Sequence, residues 1–335
     1  VRVLATADRR WTRYAPLTFW VWGGVLMVAG TVWRIVRATG TEPWRTGVVR
    51  HLWAGLGGDA LWVSVPLALA AVTGLGVAGA VAFYAGHWWG YRLERGQDGG
   101  LVVRRGPRGR NAVAIEEARL YGVALREPLL LRAGGGASVR AVAGGLGDRD
   151  QNRRRSVVLP PAPRGEAVRV CAEVLGGAVD AQGLRPHPRA ALRRRVVWAL
   201  GWGVLPVTLA LGVLGWLLAL PVLGYCAVGW TLLAAPVAYG LARDAYRALG
   251  HALRGRHLVL RSGTFGRETV SLDRSAVLAW TFTDTPLSRR AGVVTVTAAV
   301  PGGEGGYRIR DISAAEAVGF VESAAPGSLR EFLTP

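Results

Sequence analysis

Between Val196 and Ala242 the chain carries no charged side chain. A membrane-spanning helix needs ~20 predominantly apolar residues, so this run is too long for one span and fits two. Its middle, Leu218–Gly224, reads LALPVLG, and Pro221 and Gly224 mark a tight turn there. Two shorter charge-free runs come earlier: Tyr14–Trp33, and Ala60–Tyr91, where only His87 titrates near neutrality. Each supplies one span. The expected hairpins are therefore about 14–36 with 61–88, and about 196–218 with 221–242. Trp20, Trp22, Trp33, Trp62, Trp88, Trp89, Trp198 and Trp202 sit near the span ends, as in an interfacial belt.

Each hairpin returns the chain to its starting side, so the polar segments that follow share one face. The formal net charge is +19, and every non-His cation is Arg. Such a charge suits nucleic acid or an anionic membrane surface. The Arg clusters flank the spans, at Arg9–Arg13 and Arg185–Arg195, so membrane orientation and lipid contact account for it and nucleic acid need not be invoked. The same asymmetry places the polar domains in the cytoplasm, against the Arg34, Arg37, Arg45 and Arg50 of the first hairpin loop.

The polar segments echo one another. Residues 128–134 read PLLLRAG and residues 286–292 read PLSRRAG. Upstream, Leu101–Ile115 lies over Leu258–Leu272 without a gap, matching Arg104, Gly106, Gly109, Arg110 and Val113 to Arg261, Gly263, Gly266, Arg267 and Val270. One added residue before Pro286 and a shorter later loop complete the alignment. Two copies indicate a duplicated domain and not a solenoid. The phrase reads as a structural corner between two strands. Pro128 and Pro286 begin a turn, Leu129 and Leu287 anchor it in the core, and Gly134 and Gly292 supply an unusual backbone angle. Arg132 and Arg290 are expected to be exposed, capping carbonyls or facing lipid.

Val294–Val300 alternates like a half-buried strand, and HLVLRSG, ETVSL and YRIRDI are further short strands between Gly turns. Each segment closes in a helix, the second opening with the Ser313/Glu316 capping box. The expected fold is membrane α plus β: two transmembrane hairpins, each followed by a small β-sandwich or open barrel plugged by a C-terminal helix. The divisions are a basic flank (1–13), hairpin 1 (14–90), domain 1 (91–178), an Arg/Pro linker (179–195), hairpin 2 (196–243) and domain 2 (244–335).

Tyr246–Arg247, Leu258–Gly263, Arg267–Arg274, Pro286–Gly292 and Ala315–Val321, following a hairpin, resemble the bacterial pleckstrin-homology-domain membrane proteins of the YdbS/YdbT type. The resemblance implies pleckstrin-homology-like domains and a multi-pass protein of the bacterial inner membrane. It also implies a partner, a smaller membrane protein with one hairpin and one such domain. Larger members of the family carry three units, and this chain starts at Val1 just ahead of a span. That leaves an alternative start codon or a missing leading unit.

No chemistry emerges from the spacing. The five His form no metal motif, the absence of Lys rules out a P-loop, and no nucleophile–base arrangement can be assembled. Cys171 and Cys226 read as small buried apolar residues. No catalytic, metal or cofactor site is expected. The candidate contact for lipid or partner is the turn bearing Arg104, Arg105, Arg108 and Arg110, with Arg261 and Arg267 in the second copy. The leading function is a non-enzymatic membrane protein whose paired domains assemble a complex. The alternatives are anionic-lipid sensing, and an accessory role in export or in tolerance of membrane-active peptides.

Overall fold

A computed structural model describes residues 1–18, 34, 61–106, 111–177 and 183–327. Most of the first expected span (19–33 and 35–36) and its loop, together with Arg108 and Arg110, lie outside the described residues. The chain begins with β1 (Arg2–Thr6) and a 3-10 helix (Arg9–Leu17). Then α1 (Leu61–His87) leads into β2 (Arg92–Arg95), β3 (Leu101–Arg105), β4 (Asn111–Ile115) and β5 (Leu120–Pro128). A one-turn helix α2 (Leu129–Ala133) precedes β6 (Gly136–Ala143), α3 (Arg149–Arg155), β7 (Val157–Pro163) and α4 (Arg164–Leu175). The second half holds α5 (Arg189–Leu217), α6 (Pro221–Arg247), β8 (Gly250–Arg254), β9 (His257–Ser262), β10 (Gly266–Asp273) and β11 (Ala279–Thr283). It ends in α7 (Pro286–Arg290), β12 (Val293–Ala299), β13 (Gly306–Ser313) and α8 (Ala314–Ala324).

Among the described residues three helices are long and apolar enough to cross a membrane: α1 over Ala70–His87, α5 and α6. Their apolar side chains face outward, with Trp216 81% exposed. Cys226, expected to be buried, also faces outward on α6, whereas Cys171 is buried in α4. A π-helical stretch, Ala199–Val204, widens α5 just before Pro206. Proline lacks the N–H for the helical ladder and crowds the preceding turn. The Val204 carbonyl accepts hydrogen bonds from Trp230 Nε1 (3.3 Å) and Thr208 Oγ1 (3.0 Å), so the disturbed backbone is satisfied. The turn between α5 and α6 is shorter than the expected Leu218–Gly224. Leu218–Leu220 suffices because Ala219 adopts φ +47° and Pro221 starts α6, placing Gly224 inside the helix.

Among the described residues no barrel closes. The strands form a four-stranded sheet β1-β2-β3-β4, a six-stranded sheet β7-β6-β5-β10-β9-β8 and a three-stranded sheet β11-β12-β13. The six-stranded sheet departs from the expectation of two separate sandwiches. It forms because β5 of the first polar segment pairs antiparallel with β10 of the second, from Gly122↔Leu272 to Pro128↔Gly266. Successive strand side chains point to opposite faces. Val123 and Leu125 accordingly join the first core, with Leu93, Val103, Val139 and Val170. Ala124 joins the second core, with Leu260, Val270, Val296 and Phe320. Sequence Val123–Leu125 is apolar throughout because both faces are covered. Gly122 permits the close approach: a Cβ there would stand 2.2 Å from the Ser271 carbonyl oxygen.

The expected basic flank contains β1, which pairs with β2, and Ala7 N–H donates to the Tyr91 carbonyl (2.9 Å). Trp11 and Tyr14, both in the 3-10 helix, are buried in the first core together with Tyr84 of α1. The second half repeats the device in minimal form, with Arg185 bridging His251 on the edge of β8. In the first half a strand ahead of α1 lies beside the strand that follows it, and in the second a residue ahead of α5 lies beside the strand that follows α6.

Gly122→Val is expected to destabilise the chain by about 1–3 kcal/mol, because the added side chain overpacks the β5–β10 contact. Thermal unfolding of the detergent-solubilised full chain measures this. An unchanged melting temperature would show that the pairing contributes little.

Candidate functional site

The last turn of α6 carries Asp244, near the negative end of the helix dipole, where a carboxylate is disfavoured. Two guanidinium groups offset that cost. Arg132 Nη2, from α2, donates to Asp244 Oδ2 at 3.0 Å. Arg267 Nη2, from β10, donates to Asp244 Oδ1 at 2.9 Å. One carboxylate thus ties the end of an apolar helix to both polar segments. Arg261 of β9 completes the cap, with Nε donating to the Ala248 carbonyl (3.1 Å) and Nη2 to that of Arg247 (3.2 Å). Burial and the neighbouring Arg132 lower the Arg267 pKa from its ordinary value, and Asp244 acts in the opposite sense. Alongside, buried Glu127 accepts from Arg164 Nε at 2.7 Å, and Leu129 N–H donates to the Phe265 carbonyl at 2.8 Å.

A second junction holds the start of α5. Asp311 in β13 adopts φ +59°, a region non-glycine residues rarely visit, and pairs with both Arg194 and Arg195. Beside it the His187 and His251 rings meet edge-on at 5.1 Å, and His251 meets Phe320 at 4.8 Å. His251 Nε2 lies 3.3 Å from Glu316 Oε1 without hydrogen-bond alignment. Neither His187 ring nitrogen has a hydrogen-bond partner among the described residues. Tyr246 Oη donates to the His187 carbonyl at 2.8 Å, joining this junction to α6. Burial, then His251 and Arg195, push the His187 pKa down to about 4. Burial is also the main cause of the lowered His251 pKa.

The residues singled out from sequence are dispersed over several environments. Arg104 is half-exposed and pairs with Glu94 at 3.2 Å. Arg105 lies 5.0 Å over the Trp88 ring and donates to the Arg154 carbonyl at 3.3 Å; burial lowers its pKa. Arg261 and Arg267 belong to the α6 cap. The corner phrase forms the one-turn helices α2 and α7 between strands. Pro128 precedes α2, and Pro286 opens α7 behind a Thr285/Ser288 capping box.

Three corner expectations need correction. Leu129 is half-buried and Leu287 is 59% exposed; Leu131 and Ser288, two and one residues further on, are buried because a helical turn rotates them inward. Gly292 has φ +66°, but its conformational counterpart is Gly135 at +72°, while Gly134 has φ −81° and packs against Leu17. Arg132 is largely buried by its ion pair, whereas Arg290 is exposed as expected. Asp244, Asp311 and the His pair were missed. For Asp244 the available signal was an acid two residues past a long charge-free run, in a flank otherwise rich in Arg.

Among the described residues no group of three or more His, Cys, Asp or Glu is placed to hold a metal ion. The geometry can brace helices against sheets. A family model described as a bacterial PH domain matches residues 196–322, from within α5 into α8. No curated protein and no solved structure matches the chain.

Asp244→Asn leaves Arg132 and Arg267 close together without the carboxylate they share. Breaking such a partly buried pair should cost about 2–3 kcal/mol. The Arg132→Gln/Asp244→Asn double variant should lose less than the sum of the single losses, measured as a thermal-unfolding cycle. Full additivity would mean that the two groups do not interact.

His187 binds its proton more weakly in the folded chain than in the unfolded one. Its contribution is therefore intact above the unfolded pKa of about 6.5 and is lost as pH falls toward 4. Stability should drop by about 2 kcal/mol between pH 7.5 and pH 5. In melting curves of the full chain, His187→Phe should flatten this dependence; an equally steep curve would assign it elsewhere.

Proposed function

We propose that this chain is a non-enzymatic integral protein of the bacterial inner membrane whose two pleckstrin-homology-like domains serve as protein-interaction and assembly modules. The observation that carries the reading is the six-stranded sheet, in which the two polar segments already dock through main-chain strand pairing. A surface that recruits a neighbour by its strand edge needs no pocket. The order of strands, one-turn helix, strands and closing helix runs twice along the chain, which supports two hairpin-plus-domain units of the YdbS/YdbT type. β1 beside β2, and Arg185 beside His251, hold the two ends of each apolar excursion together. That favours an even number of crossings and both domains on one side. The Arg-dense flanks favour the cytoplasmic side.

The partners proposed are membrane lipids and a smaller membrane protein with one hairpin and one such domain. Contact with anionic lipid is the second reading, favoured by α7, where Leu287 is 59% exposed and Arg290 is exposed. Arg105, Arg261 and Arg267 have internal partners, so they support it less.

Affinity purification of the full chain from native membranes in mild detergent is expected to retain a near-stoichiometric membrane protein. Recovery of enriched anionic lipid with no protein partner would move the function to lipid sensing.

A further inference from the structure

Six strand edges are left after the described sheets are paired, and four of them are protected. The outer edge of β7 carries Pro160, Pro161 and Pro163. β8 is covered by Arg185, whose N–H donates to the His251 carbonyl at 3.0 Å. β13 presents Arg308 and Arg310, and β1 is broken by a bulge between Val3 and Ala5. Proline, charge, bulges and cover are the usual means of blocking edge-to-edge association. The remaining edges are β4, NAVAI, and β11, AWTFT. Neither contains a charge or a proline, and each has five residues.

These two strands are the counterparts of the pair that joins the halves. β4 is the third strand of its segment, as β10 is of the other. β11 is the strand before the one-turn helix, as β5 is. The registers agree: Leu125 lies opposite Val139 within its sheet, and Phe282 lies opposite Val296. Among the described residues, β5 thus pairs with β10 internally and the same two surfaces are left open on β4 and β11.

We propose that the edge of β11 pairs antiparallel with the edge of β4 from a second copy of this chain, repeating the β5–β10 contact between molecules. This deepens the assembly reading above and rests on it. Transferring the internal register, where Arg126 faces Glu268, sets Thr283 opposite Asn111 of the second copy. The contact is heterologous, so the second copy still offers its own β11 and the association continues. Both halves send their apolar helices into one membrane. The operation relating them is therefore a rotation about the membrane normal, and repeating it gives a ring or an open row within the membrane plane.

The test uses the full chain in native membranes with Cys226→Ala, leaving the buried Cys171 in place. Thr283→Cys and Asn111→Cys together, treated with a short bis-maleimide, are expected to give a ladder at multiples of the chain mass, which neither substitution gives alone. Thr281→Pro, at an open edge, is expected to abolish the ladder while preserving the melting temperature. A ladder that survives Thr281→Pro overturns strand pairing. A cross-link from Thr283→Cys alone to a smaller protein overturns the second copy as the occupant and leaves the assembly function standing. A single-chain band overturns the proposal. If such membranes also yield no stoichiometric partner on purification, the assembly function falls with it.

Discussion

From Gly122 to Arg126, the residues of β5 lie between β6 on one side and β10 on the other. That position decides how the polar half is organised. A strand with a neighbour on each edge and a core on each face has no solvent side. Its side chains are accordingly split between two cores, and Gly122 is bare enough to admit the Ser271 carbonyl. The two halves are consequently not beads on a string. The Gly302–Gly303 turn also packs on the end of β6, with Gly303 N–H donating to the Ala143 carbonyl at 3.0 Å. Moving either half would expose apolar residues of both cores and leave main-chain groups of β5 and β10 unpaired, a cost that rises with every group left without a partner.

The charges serve this arrangement. Arg132 comes from one half and Arg267 from the other, and both meet at Asp244 only because β5 and β10 are neighbours. The carboxylate sits where the α6 dipole opposes it, so the cluster is favourable only as a set. Asp311 plays the corresponding part at the start of α5, with Arg194 and Arg195. Each of the apolar helices α5 and α6 thereby meets the sheets through a carboxylate gripped by two Arg. A displacement of either helix has to break a multiply bonded, partly buried ion cluster, which is far stiffer than a loop connection.

The parts legible in the sequence were those set by local pattern. Charge-free runs marked α1, α5 and α6, and alternation marked Val294–Val300, which lies mainly in β12. The Ser313/Glu316 pattern marked the start of α8, where Ser313 Oγ accepts from the Glu316 N–H at 3.3 Å. What escaped was set by distant partners. RVLAT looks like a basic tail until β2 lies beside it. The apolar run Val123–Leu125 cannot disclose that one face belongs to another half of the chain. The corner phrase aligned letter for letter, yet its last glycine slipped by one residue, because conformation follows the helical turn and not the matching letters. Arg132 and Arg290 looked equivalent, but only Arg132 finds an acid, carried 112 residues away on α6. The resemblance read from Tyr246 to Val321 lies within the bacterial PH domain match at residues 196–322, and the pairing between halves was not legible.

The exclusive use of Arg, which at the level of composition says little, has a physical consequence at these junctions. A lysine placed against Arg132 and an apolar helix end would shed its proton readily when buried, dissolving the ion cluster. A guanidinium keeps its charge under the same burial. Its planar fork also divides donors between targets. Arg261 uses Nε and Nη2 for two successive carbonyls at the end of α6, a geometry a single ammonium point cannot hold as firmly. Arg169 likewise spans Glu166, Glu173 and the Leu4 carbonyl, fastening α4 to β1. The arginines described at these junctions therefore share one kind of work. At the helix ends they are structural ties whose strength depends on remaining charged out of water.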